Sequence, residues 1–315
     1  MEFNRTELMP GVFLSHLRSD KFKTACMSVT LLTQLRRETA AMNAVIPFVL
    51  RRGTTRYSDM EQLSRRMDEL YGAAVEPVVR RIGEIQCIGF YGSFPEPDYL
   101  PGGEALLGDT CALMAQLLLD PVTRGGLLLP QYVDSEREKL LDIIRSRMND
   151  KRSYALTRCI EEMCCYEDFA VSRFGSESEA ENIHYKKLTR HYRELIQTCP
   201  VEIFYCGKTD FKAVSAAMRD AFSAMPRGEI DYDIGTDLRM NAVEDHIRFV
   251  EEEMDVTQGK LVLGFRLGEC MEEPDIPALY VFNAVYGSGA TSKLFMNVRE
   301  KLSLCYYASS AVYLH

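Results

Sequence analysis

One arrangement of elements occurs twice in this chain, and it limits the fold more than any other feature. Strand, helix, glycine, helix, strand runs over residues 24–81, and the same order returns over 259–314. Gly53 and Tyr71 are separated by almost the same distance as Gly287 and Tyr306. Repetition of one α+β unit points to an internal duplication. The first copy continues far beyond residue 81, whereas the second ends at His315. The expectation is a second domain that is cut short, with strand edges left unpaired.

The elements follow from local pattern. Residues 11–17 alternate, and 24–34 are β-branched and apolar, so both read as strands. Residues 39–52 place Ala41, Val45, Phe48 and Val49 at helical spacing, with Gly53 as a C-cap and Pro47 in the interior, where it usually kinks a helix. Ser58 and Glu61 form a capping box for a helix ending at Gly72. Residues 74–81 and 85–94 read as a hairpin, and 95–103 as a loop. Helices are expected at 104–119, 135–148, 153–166 and 189–198, then a strand at 201–207 and a helix capped by Asp210. The polar stretch 227–241 marks a boundary. Beyond it, strands are expected at 246–253, 260–267 and 304–314, with helices at 275–286 and 292–301. The domains are therefore 1–228, a linker at 229–245, and an incomplete second domain at 246–315.

Composition excludes several classes. A length of 315 residues suits two domains, and 46% hydrophobic with 26% charged residues is ordinary for a globular protein. A net charge of −9 argues against nucleic acid or an anionic membrane as the partner. No apolar run is long enough to span a bilayer, and Met1–Glu7 carries no apolar signal core, so the expected compartment is the cytoplasm. The ten cysteines contain no C-x-x-C pair and read as free thiols, and no chemistry attaches to the adjacent Cys164 and Cys165. The five histidines are scattered, and His184 and His191 read as solvated. Gly287-x-Gly289-x-x-Ser292 lacks the third glycine of a dinucleotide loop, and no acidic residue follows Glu300. Lys293 follows Ser292, so a Walker loop fails as well. No Ser–His or Cys–His arrangement for another hydrolytic nucleophile can be specified from spacing.

Two stretches carry a resemblance. Ala44-Val45-Ile46-Pro47-Phe48, followed by Gly53-Thr54, resembles the zinc helix of the pitrilysin/insulinase peptidases with its chemistry removed. In that family H-x-x-E-H binds zinc and activates water. Ala44 and Phe48 stand where the histidines would be, and Pro47 where the glutamate would be. Glu136 and Arg137 match the context of the family's third ligand, but Ile143 occupies the ligand's place, with Asp142 one residue away. The second stretch is Gly287-Ser-Gly-Ala-Thr-Ser-Lys-Leu-Phe-Met-Asn-Val-Arg-Glu-Lys-Leu-Ser-Leu-Cys-Tyr-Tyr-Ala-Ser-Ser310, which closely resembles the family's C-terminal-domain motif.

The resemblance implies an α+β fold of two related pitrilysin/insulinase domains (the LuxS/peptidase-like metalloenzyme fold), an antiparallel-rich sheet packed with helices, the second domain truncated. It implies a zinc-less chain with no cofactor of its own, zinc being expected only in a homologous partner subunit. Arg299 and Tyr306, with Tyr307 as the lesser alternative, match the family residues that hold the substrate backbone and the developing oxyanion. The function implied is to bind peptide and complete the chamber of a zinc metallopeptidase partner, in a heterodimer. A stand-alone peptide-binding or scaffold protein is the alternative. The resemblance extends in outline to a sub-branch associated with aminopentanol modification of elongation factor P, a chemistry the motifs do not carry.

Overall fold

The computed structural model describes residues 2–235, 246–267 and 273–313. The expected linker at 229–245 falls largely on 236–245, outside the described residues. Two compact units partition the chain: residues 1–237 with 258–262, and residues 238–257 with 263–315.

The first unit is built on a six-stranded sheet. Its strands are β1 (Glu2–Met9), β2 (Val12–Arg18), β3 (Thr24–Gln34), β4 (Ala74–Ile82), β5 (Ile85–Pro95) and the later Val201–Gly207. Two further two-residue strands, β6 (Thr123–Arg124) and β7 (Leu127–Leu128), make a separate small hairpin, so Val201–Gly207 is β8. The sheet order is β1-β2-β8-β3-β5-β4. Only β2 and β8 pair in parallel; the other neighbours are antiparallel.

Alternation along the central strands decides which face is covered. On β3, Ala25, Met27, Val29 and Leu31 are buried, while Cys26, Ser28, Thr30 and Leu32 are half-buried. On β8, Val201, Ile203 and Tyr205 are buried, with half-buried residues between them. The helices are α1 (Ala40–Leu50), α2 (Met60–Glu69), α3 (Leu107–Leu119), α4 (Pro130–Ser146), α5 (Lys151–Met163), α6 (Glu177–Glu181), α7 (Tyr185–Thr198) and α8 (Phe211–Phe222). Helices α1, α3, α7 and α8 pack against the sheet, and the others pack mainly around them. Among them, α1 is packed on all sides, and every residue but Phe48 is buried. Gly89 on β5 permits close approach of the sheet backbones, because a Cβ there would lie 2.0 Å from the Val29 carbonyl oxygen.

Several boundaries differ from those read in the sequence. β1 was not expected, because polar residues interrupt its few apolar ones and only Leu8 among its described side chains is buried. Asp59, not Ser58, caps α2, its carboxylate accepting from Gln62 N at 2.9 Å. α4 begins at Pro130 and α7 at Tyr185, each several residues early.

In the second unit, α9 (Ile276–Tyr286) is followed by a π-helical segment, Phe295–Lys301. The strands expected at 246–253, 260–267 and 304–314 do not form; the described residues there are irregular, and Leu314 lies outside them. Alternation supplies propensity, but a strand exists only when a neighbour takes its hydrogen bonds. No ladder reaches these stretches among the described residues, and Ile247, Phe249, Leu263 and Phe265 are exposed. Among the described residues, no helix is long and apolar enough to cross a membrane.

Phe90 sits on β5 with no exposed surface. Phe90→Ala is expected to destabilise the first unit by about 3–5 kcal/mol, read as a lower urea midpoint with an unchanged slope.

Candidate functional site

Helix α1 brings Ala44 and Pro47 into the core and leaves Phe48 half-buried. Ile143 stands on α4, 36% exposed. None of the four side chains carries a nitrogen, oxygen or sulfur donor, so these residues do not fit zinc. Asp142, next to Ile143, is exposed. Among the described residues no three of His, Cys, Asp or Glu converge on a point that could hold a metal ion.

The carboxylate nearby is committed elsewhere. Glu136 is buried on α4, and its Oε1 accepts from Arg52 at 3.2 Å and from Lys139 at 2.8 Å. The Arg52 guanidinium lies over the Tyr132 ring, 4.9 Å from its centre. Arg51 turns the other way and donates to the Val75 carbonyl at 2.8 Å, its pKa lowered by burial. Two cations on one buried carboxylate make a structural clamp between α1 and α4 and leave that carboxylate little capacity for a metal ion.

A buried polar network lies under the same helix. Asn43 Nδ2 donates to Gln86 Oε1 at 2.8 Å, and Gln86 Nε2 donates to the carbonyls of Ala40 and Arg173. His191 Nε2 lies 2.6 Å from Asn43 Oδ1. Because Asn43 already donates through Nδ2, its oxygen accepts and His191 donates, which sets the imidazole tautomer. Burial lowers the pKa of His191. His191 is therefore half-buried and hydrogen-bonded, not solvated as its polar neighbours suggested. Asn43 was the available signal, an amide inside an otherwise apolar helix that had to find partners.

The second unit brings Arg299 and Tyr306 together. Arg299 Nε donates to the Tyr306 carbonyl at 3.0 Å, and its guanidinium lies 4.6 Å from the centre of the Phe295 ring and pairs with Glu300. Tyr306 is 80% exposed and Tyr307 42%. Arg299 belongs to the π-helical segment, a rare irregularity that occurs frequently at functional sites. The loop closes on itself: Ser310 N donates to the Gly287 carbonyl at 3.1 Å, and Ser310 Oγ to Asn283 Oδ1 at 2.6 Å. Gly287 has no substitute there, since a Cβ would lie 2.3 Å from Ser310 Oγ. The half-buried Arg299 guanidinium, already bonded to the Tyr306 carbonyl and Glu300, and the exposed Tyr306 phenol both carry donors from which an extended backbone or an oxyanion could accept.

Comparison with known proteins adds to this geometry. The family described as "Peptidase M16 inactive domain" matches residues 182–314. The "Probable inactive metalloprotease YmfF" of Bacillus subtilis (strain 168) is 32% identical over 312 residues, covering 98% of this chain and 72% of the relative. A conserved protein from Enterococcus faecalis V583 superposes with a TM-score of 0.78 at 23% identity, over 98% of this chain and 72% of that one. A protease from Helicobacter pylori gives 0.70 at 12% identity, over 98% and 71%. The peptidase M16 inactive domain from Pseudomonas fluorescens gives 0.68 at 13%, over 98% and 70%. At such identities the structures speak for the fold alone.

The buried network predicts an acid-sensitive term in stability. With its folded pKa depressed, His191 contributes nothing above the unfolded value of about 6.5. Below that, the unfolded chain takes a proton the folded chain refuses, so stability falls as pH drops. Urea unfolding of His191→Gln against the parent from pH 7.5 to 5 should show a shallower acid slope in the variant.

Proposed function

Because the chain belongs to the peptidase M16 family, as a homologue of its inactive members, we propose that it is the zinc-less subunit of a peptidase pair. It binds peptide and completes the active-site chamber of a homologous subunit that carries an intact H-x-x-E-H. A non-catalytic role follows from the family and from the residues themselves. Ala44, Pro47, Phe48 and Ile143 cannot ligate zinc or take a proton.

The observation that carries the proposal is an asymmetry between losses and retentions. Every donor at the zinc positions is replaced, yet Arg299 and Tyr306 are kept and held together. In this reading Arg299 and Tyr306 bind the substrate backbone and steady the oxyanion that forms in the partner's site. Zinc belongs to the partner alone. The domains at 1–228 and 246–315 supply the wall of the chamber and the Arg/Tyr motif respectively. The free thiols among the described residues suit a reducing, cytoplasmic setting.

Capture of the tagged protein from its own lysate, with mass spectrometry, is expected to bring down an H-x-x-E-H homologue near one-to-one. Peptide cleavage by that pair should stop on chelation. Arg299→Ala in the assembled pair should lower kcat by about a hundredfold, the usual loss for one oxyanion donor, without releasing the partner. Recovery of the protein alone, or unchanged cleavage by the variant pair, would leave the stand-alone scaffold as the better reading.

A further inference from the structure

Cys26 and Cys206 are distant in sequence and directly opposite in the sheet. They are register partners on β3 and β8, the two central strands. Leu32 N donates to the Pro200 carbonyl at 2.9 Å, which makes that pair a hydrogen-bonded one. Pair type alternates along an antiparallel ladder, so Cys26 and Cys206 are of the same type. Such pairs hold their Cα atoms about 5.5 Å apart, within the common range for a disulfide of about 5.5–6 Å.

The side chains also leave the sheet together. Ala25, Met27 and Tyr205 flank the pair with side chains buried in the core, so both thiols stand on the opposite face. Both are half-buried, open to a small reagent. The Cys26 thiol lies close enough to Cys206 and to the Tyr91 phenol on β5 to interact electrostatically with both. No other cysteines stand opposite one another in a strand ladder among the described residues. Cys87, Cys111, Cys164 and Cys199 are buried.

We propose that Cys26 and Cys206 form a cross-strand dithiol that a peroxide closes to an intramolecular disulfide, fastening β8 to β3. One thiolate attacks a peroxide oxygen and becomes a sulfenic acid, releasing one water once protonated. The second thiolate attacks the sulfenic sulfur, the S–S bond forms, and the departing hydroxide leaves as a second water. Two protons and two electrons pass from the protein to one hydrogen peroxide. Cβ atoms in such pairs are up to about 5.5 Å apart, more than a disulfide's usual span of about 3.8 Å. Closure therefore draws the strands together, and an external thiol reopens the bond readily. Burial raises the Cys206 thiol above its ordinary value, so little thiolate exists at neutral pH and closure quickens as pH rises.

The test treats the whole chain with hydrogen peroxide at pH 7 and pH 9, blocks free thiols with iodoacetamide, and maps the digest without reduction. A disulfide-linked peptide pair spanning residues 26 and 206 is expected, faster at pH 9 and lost on adding dithiothreitol. Cys26→Ser and Cys206→Ser, each measured alone, should both abolish it. Alkylated Cys26 and Cys206 after peroxide, separate sulfinic acids, or a disulfide between two chains would each overturn the proposal. The parent chain carries the decisive reading, so a variant that folds poorly does not remove the test.

Discussion

Burial of helix α1 on nearly every side is the constraint on which the first unit depends. A helix packed all round has no face for solvated side chains, so each polar group in or beside it needs a partner inside the protein. Asn43 finds Gln86 and His191. The helix end is tied outward by Arg51 to the Val75 carbonyl and by Arg52 to Glu136 on α4. The apolar residues that resemble a zinc motif emptied of its ligands fit this demand. A core helix made of Ala44, Ile46, Pro47 and Val49 asks for nothing but packing.

The same economy governs the charged groups beside the helix. A metalloenzyme helix must keep imidazoles aimed at an ion, at a cost in packing and desolvation. Here Glu136 has become the anchor of an ion-paired clamp, and Arg52 and Lys139 supply the positive charge around it. In the second unit, Arg299, Phe295 and Tyr306 are linked by short-range contacts within one loop and its helix.

Much of the first unit could be read from its residues. The strand over Thr24–Gln34 and the strand Val201–Gly207 have the bounds their patterns suggest, because alternating β-branched residues on a half-covered sheet state their own structure. β1 could not be read in this way: an edge strand rich in polar residues looks like a solvated terminus until β2 pairs with it. The strands expected in the second unit failed for the converse reason. Ile247, Phe249, Leu263 and Phe265 alternate well, but alternation does not supply the neighbouring strand. The polar network was hidden because Asn43, Gln86 and His191 are joined only by the packing of α1, β5 and α7. The pairing of Cys26 with Cys206 was hidden likewise, since a register between distant strands leaves no trace in spacing.

The sequence by itself determined the fold class, the family and the absence of zinc-binding side chains at Ala44, Pro47, Phe48 and Ile143. These are matters of residue identity and short-range pattern, and no folding can give an alanine a lone pair. Tertiary structure decided which distant groups meet: Arg52 with Glu136, His191 with Asn43, Cys26 with Cys206. Such meetings are set by strand register and helix packing, which minimise exposed apolar surface over the whole unit at once. Local pattern determines the pieces, and the shared burial of many residues determines their neighbours.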